Sequence, residues 1–239
     1  MKLFLSLFLL ISTFVFGESI HILAAANLAK VLDEIKINYL KNHPNDQIDI
    51  SYLASGKAYA QIKNQAPVDL FVSADTSYPE KLYQEKLSSR PTIYAQGILV
   101  LFSKTQKITS INDTLRAKNI ALPNPDLAPY GRAANEALNK LNLKQKISSS
   151  IRQATSISQA HQWVETKNCD MGFGALSLID KNDPQMSFIQ IDSKLYQPIN
   201  QALIITNRGE KNNLARDFAK FIINSKTTFK KYGYIIPNP

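Results

Sequence analysis

Four short stretches of this 239-residue chain place small or hydrogen-bonding residues directly ahead of a helical pattern. They are Ala24-Ala25-Ala26-Asn27, Ala54-Ser55-Gly56-Lys57, Ala128-Pro129-Tyr130-Gly131 and Thr155-Ser156-Ile157-Ser158. A strand that turns into a helix at such a junction leaves free backbone N–H groups at the positive end of the helix dipole, which is a ready anion site. Taken singly, each junction is also what ordinary capping produces, because Asn and Ser are common first residues of any helix. Two junctions from each half of the chain, all of the same chemistry, instead describe a cleft that wraps an anion with neutral donors.

The elements that must position these loops follow from hydrophobic periodicity. Residues 20–26 form a short apolar run, after which Leu28, Val31, Leu32, Ile35 and Tyr39 recur at helical spacing until Pro44. Residues 48–53 read as a strand, 54–56 as a turn and 58–64 as a helix. A third strand at 68–72 precedes a helix at 78–85. The spacing next predicts strands at 97–103 and 119–122, a helix at 133–141, an extended segment at 151–153, a helix at 158–166 and a strand at 171–175. A strand at 201–206 and a helix at 213–223 close the pattern. Strands that alternate with helices imply parallel sheets built from βαβ units. In doubly wound sheets, loops at the carboxyl ends of the strands are where ligands bind. No Gly/Pro-rich linker separates the halves, so 97–103 and 201–206 are read as strands that cross between two lobes. The expected division is a signal segment at 1–17, a first lobe of 18–97 plus 204–239, and a second lobe of 98–203.

An apolar content of 44% is enough to bury a sizeable core, and nothing repeats at a fixed period. Met1-Lys2, the apolar run 3–16 and Gly17 have the layout of a cleaved secretory signal, too short for a spanning helix of about 20 residues. Cys169 is the only cysteine. It leaves no disulfide and no lipid attachment point beside Gly17, and it reads as a buried small residue. The net charge of +9 stays basic when Lys2 is removed. Such a field raises the on-rate of a divalent anion, whereas an exported chain is not expected to meet nucleic acid. An enzyme has little to stand on: there is no Gly-x-Ser-x-Gly elbow, no P-loop and no GxGxxG, and His21, His43 and His161 are scattered.

The motifs resemble the periplasmic molybdate-binding protein family of ABC importers over nearly the whole mature chain. The resemblance is carried by Ala24-Ala25-Ala26-Asn27-Leu28, by Ala54-Ser55-Gly56-Lys57-Ala58-Tyr59-Ala60-Gln61-Ile62 and by Ala66-Pro67-Val68-Asp69-Leu70-Phe71-Val72-Ser73-Ala74-Asp75. Further on it includes Asn124-Pro125, Ala128-Pro129-Tyr130-Gly131-Arg132-Ala133-Ala134, Met171-Gly172-Phe173-Gly174-Ala175-Leu176-Ser177 and Lys231-Tyr232-Gly233-Tyr234. Several members are weak alone, but the ordered set is specific.

The resemblance implies an α/β, two-lobed periplasmic-binding-protein fold of type II with two crossover strands, working as a monomer with no cofactor and no catalysis. Its ligand would be molybdate or tungstate, delivered in the periplasm to the membrane permease of an ABC transporter. Sulfate or another small oxyanion is the alternative. By position, Ala26, Asn27, Ser55, Tyr130 and Ile157 fall on the ligand loops, Tyr130 and Ile157 acting through their backbone N–H groups and Ser55 through its hydroxyl. Asn27, Ser55, Tyr130 and Ile157 would meet the metalate only through its oxygens. Some members carry a Tyr donor where this chain has Ala175. Gly56, Lys57, Arg132 and Gln159 are further candidates, and Asn27, Gln159, Arg132 or Lys57 could offset that loss. Arg132 is suited to oxyanion recognition by its bidentate fork.

Overall fold

The structure, a computed structural model, describes residues 17–237, so the expected signal segment lies outside the described residues apart from Gly17. β1 (Ser19–Ala25) leads through one 3-10 turn at Ala26–Leu28 into α1 (Ala29–Leu40). β2 (Gln47–Leu53), α2 (Ser55–Lys63), β3 (Leu70–Val72), α3 (Ser77–Gln84) and β4 (Thr92–Gly97) follow. β5 (Leu99–Ser103), β6 (Ile120–Pro123), α4 (Pro129–Lys140), β7 (Ile151–Ala154), α5 (Ile157–Glu165), β8 (Met171–Ala175) and β9 (Ser187–Gln190) come next. β10 (Ile199–Ile205), α6 (Asn213–Asn224) and α7 (Lys226–Lys231) end the chain.

These strands form two five-stranded sheets, ordered β2-β1-β3-β10-β4 and β7-β6-β8-β5-β9. The two share one plan. β1 lies parallel between β2 and β3, and β6 lies parallel between β7 and β8. An antiparallel pair completes each: β10 joins β3 to β4, and β5 joins β8 to β9. Helices cover the sheets, so the central strands are buried on both faces, and Ile22–Ala25 and Met171–Ala175 accordingly read as unbroken apolar or small-residue runs. One buried cluster joins the lobes, reaching from Ile22 and Leu32 through Tyr94, Leu99 and Tyr130 to Leu122 and Phe173.

Several local expectations need correction. The segment 97–103 is split: β4 ends at Gly97 in the first sheet and β5 begins at Leu99 in the second, so Ile98 alone makes the passage. The return passage lies before Ile199 and not within 201–206, because all of β10 pairs with β3 and β4. The second lobe therefore ends near residue 198 and not at 203. α2 starts at Ser55, where a turn was expected, with Ala54 extended as its cap. α4 starts at Pro129 and not at Ala133, since the fixed φ of proline suits the first helical position. β4, β9 and α7 were not foreseen. β9 is a half-buried edge strand with no alternating pattern, and β4 is held by non-local pairing with β10.

Candidate functional site

The carboxyl ends of β1, β2, β6 and β7 all face the seam between the lobes, and each feeds a helix. A small cavity sits there, lined by Ala25, Ala26, Asn27, Leu53, Ala54, Ser55, Ala74, Ala128, Pro129, Tyr130 and Ile157. The five loop residues expected on the ligand side, Ala26, Asn27, Ser55, Tyr130 and Ile157, are thus brought to one wall-to-wall space. Gly56, Lys57, Arg132 and Gln159 are not on its lining.

Each loop residue is placed by local chemistry. Ser55 and Ile157 are the first residues of α2 and α5, and Tyr130 is the second of α4, so their N–H groups precede the point at which intrahelical bonding begins. Among the described residues none of these three N–H groups has an acceptor outside its helix. The Ser55 hydroxyl oxygen accepts the Ala74 N–H at 3.1 Å, which leaves the hydroxyl proton to donate elsewhere. All of these residues are buried: Asn27, Ser55 and Tyr130 are each 1% exposed. No charged side chain lines the cavity, so its field comes from three helix N-termini and neutral dipoles.

Of the four remaining candidates, Gly56, Gln159 and Arg132 have other partners and Lys57 is exposed. The Gly56 N–H donates to the Leu127 carbonyl at 2.9 Å, across the seam. Lys57 points to solvent. The Gln159 side chain turns back to accept the Thr155 N–H at 2.7 Å, while its own N–H is capped by the Ser156 hydroxyl. Arg132 pairs with Asp75 of the other lobe and stacks over the Tyr78 ring, 5.4 Å from its centroid. Asp75 is in turn held by the hydroxyls of Ser73 and Ser77 at 2.9 and 2.8 Å. Asp69, a conceivable partner for Arg132, instead binds Arg208 at 3.0 Å and the His21 N–H at the far end of the sheet. A more open groove lies at that end, around Ser19, His21, Asp49 and Arg208, away from all four loops.

The lobes are in contact around the cavity. Tyr78 donates its hydroxyl to the Asp126 carbonyl at 2.7 Å, Ser158 to Ala26 at 3.1 Å, Ser177 to Asn27 at 2.9 Å, and the Lys30 ammonium reaches the Leu178 carbonyl at 2.8 Å. Behind the cavity stands a polar layer that sequence reasoning missed. Gln201 accepts from the Asn27 amide and the Tyr94 hydroxyl, both at 3.1 Å, and donates to the Tyr130 hydroxyl at 3.1 Å. Tyr234 accepts from the same Asn27 amide at 2.9 Å. Burial holds the Tyr94, Tyr130 and Tyr234 phenols well above their ordinary range, so they remain protonated donors. A glutamine at the head of the apolar run 201–206 was the one available signal. Tyr130 also explains Gly97: a Cβ there would stand 2.0 Å from the Tyr130 hydroxyl.

Among the described residues no cluster of three His, Cys, Asp or Glu side chains could hold a bare metal ion. The arrangement suits an acceptor-only anion. Pockets for drug-sized organic ligands run to about 300–1,000 Å³, and this space is far smaller, so its donors suit a small anion and not a sugar or peptide.

Comparison with known proteins agrees with this geometry. Residues 20–235 match the family described as bacterial extracellular solute-binding protein. The chain is 33% identical over 228 residues to the molybdate-binding protein ModA of Azotobacter vinelandii, covering 91% of this chain and 90% of that protein. The solved periplasmic molybdate-binding protein of A. vinelandii superposes with a TM-score of 0.85 at 29% identity, covering 92% of this chain and all of the other. The sulfate-binding protein SubI of Mycobacterium tuberculosis superposes at 0.76, covering 93% and 88% of the two chains, but with 13% identity it shares the fold alone. With its two α/β lobes, its interlobe cavity and a match that spans nearly all of the described residues, the chain belongs to the bacterial extracellular solute-binding protein family.

Proposed function

We propose that this protein captures molybdate or tungstate in the periplasm, as a monomer, and delivers it to the membrane permease of an ABC importer. The observation that carries the reading is the neutral cavity in which Ser55, Tyr130 and Ile157 direct uncommitted N–H groups inward from three helices. A tetrahedral dianion that is fully ionised at neutral pH offers acceptors only, so every wall contact must be a donor. In a site closed to water, charge-assisted bonds of about 1.5–3 kcal/mol each replace the hydration shell. The similarity to molybdate-binding proteins over nine-tenths of the chain supports the same ligand. Sulfate has the same charge and is smaller, so size is what would set the two anions apart. The sulfate alternative rests on the Tyr donor missing at Ala175 and on Arg132, and of these Arg132 is committed to Asp75.

Titration calorimetry on the mature protein tests the reading. Submicromolar binding of molybdate and tungstate is expected, undisturbed by millimolar sulfate. No heat with either metalate rejects the proposal, and displacement of molybdate by millimolar sulfate rejects the size argument.

A further inference from the structure

Tyr130 lines the cavity from the second residue of α4, and its side chain reaches the hinge between the lobes. That hinge is confined to a few bonds. Gly97 is paired with Ile199 in the first sheet, whereas the carbonyl of the next residue, Ile98, accepts the Leu176 N–H of the second lobe at 3.0 Å. On the return passage the Gln197 N–H donates to the Glu136 carboxylate of α4 at 2.7 Å, and two residues later Ile199 is back in the first sheet. Rotation between the lobes is thereby left to the backbone at 97–98 and 197–199, where proline fixes one of the angles at Pro198.

The Tyr130 phenol is seated at the first of these two points. Its hydroxyl bonds the Gln201 carboxamide at 3.1 Å, a bond that either end of that amide makes, since a hydroxyl both donates and accepts. A Cβ at Gly97 would overlap the same hydroxyl and stand 2.8 Å from the ring carbon Cζ. The Gly97 backbone is not left-handed, so it is space and not conformation that demands glycine there. Seat and phenol belong to different lobes: Gly97 and Gln201 lie in β4 and β10 of the first sheet, and Tyr130 lies on α4 of the second lobe. A phenol turns about two bonds only and cannot bend, and this one is packed on all sides. As the second lobe swings inward, the ring therefore meets the Gly97 backbone at one fixed angle.

We propose that the Tyr130 phenol and Gly97 form the stop that sets the closed angle of the lobes, and with it the spacing of the Tyr130 N–H from the Ser55 donors across the cavity. Tyr130 acts on the ligand through its N–H and positions the second lobe through its hydroxyl. The stop lies one residue from the pivot, so a small shift there becomes a larger displacement farther out along the lobes. A methyl group at position 97 halts closure early and holds the donors of the second lobe away from the anion. Loss of the hydroxyl keeps the ring but removes the bond that holds the phenol in its seat, so the lobes part sooner.

The stop rests on the oxyanion reading above, and the test separates the two. Calorimetry and stopped flow with molybdate are applied to the native protein, Tyr130→Phe, Gly97→Ala and the double variant. Tyr130→Phe is expected to raise the Kd about three- to tenfold, the worth of one neutral hydrogen bond, entirely through faster release. Gly97→Ala is expected to raise it more than about tenfold, and the double variant no further than Gly97→Ala alone, because both changes act on one seat. A Kd for Tyr130→Phe within about twofold of native, with only the Tm lowered, assigns the hydroxyl to stability and overturns the stop, as do losses that add. Lobe separation is read directly by double electron–electron resonance between nitroxides on Gln84→Cys and Gln145→Cys, exposed positions in the first and second lobes, Cys169 being buried. With saturating molybdate, Gly97→Ala is expected to keep a wider separation than the native protein, and equal separations overturn the stop. If Gly97→Ala does not fold, Tyr130→Phe decides by its release rate. A native protein that takes up no oxyanion defeats the functional reading, whereas native binding with unaltered variants defeats the stop alone.

Discussion

Replacing Ser55 by alanine separates the binding role of its hydroxyl from its structural one. The hydroxyl oxygen accepts the Ala74 N–H at 3.1 Å and is 1% exposed, so its proton must leave in another direction, and the cavity is the space it borders. A hydrogen bond to an ionised acceptor contributes about 1.5–3 kcal/mol, so Ser55→Ala is expected to raise the Kd for molybdate about 10- to 150-fold. The Ala74 N–H loses its acceptor in the free and the bound protein alike, so that penalty cancels in the Kd but not in stability. At roughly 1–3 kcal/mol for a buried orphan donor, it should lower the Tm of the free protein by about 3 to 10 °C. Titration calorimetry in sulfate-free buffer reads the first effect and a thermal melt of the ligand-free variant the second. A Kd within about twofold of the native value, with the Tm lowered as expected, would show that the proton does not reach the ligand and would refute the reasoning.

Other consequences follow from the seam and from one buried imidazole. The Arg132–Asp75 pair joins the lobes without lining the cavity, and Arg132 remains one-third exposed, so its contribution is discounted to about 1 kcal/mol. Arg132→Ala should therefore speed ligand release about fivefold in stopped flow and leave the association rate unchanged; an unchanged off-rate would remove the pair from closure. His161 stacks on Phe102 at 4.9 Å, and burial lowers its pKa to about 4, opposed by Glu165 and reinforced by Lys30 and Lys104. Its folded pKa lies below the unfolded ~6.5, so the unfolded chain binds the extra proton; stability should fall by up to about 3 kcal/mol as pH drops from 6.5 towards 4. Denaturant melts across that window should show the slope in the native protein and lose most of it in His161→Gln.

The alternation of strand and helix, the four junctions and the small or hydrogen-bonding type of their residues were legible in the sequence because they are local: periodicity, proline placement and cap chemistry act within a few residues. The same locality made Ala26, Asn27, Ser55, Tyr130 and Ile157 readable as one set, aided by an ordered family pattern. What depended on pairing partners far along the chain was not readable. β4 is held by β10 about a hundred residues away, and the full extent of β10 shows only in its ladder to β3 and β4, which is why the return passage was placed too late. Side-chain direction was likewise undecided: Arg132 has the right chemistry for an oxyanion, but Asp75 takes it, and Gln159 spends itself on its own helix start. Gln201, Tyr94 and Tyr234 come from three separate strands and tails, and only their convergence behind Asn27 shows that the cavity has a second polar layer. A residue's type states which bonds it is able to make, while the folded chain decides which partner stands within three ångströms of it.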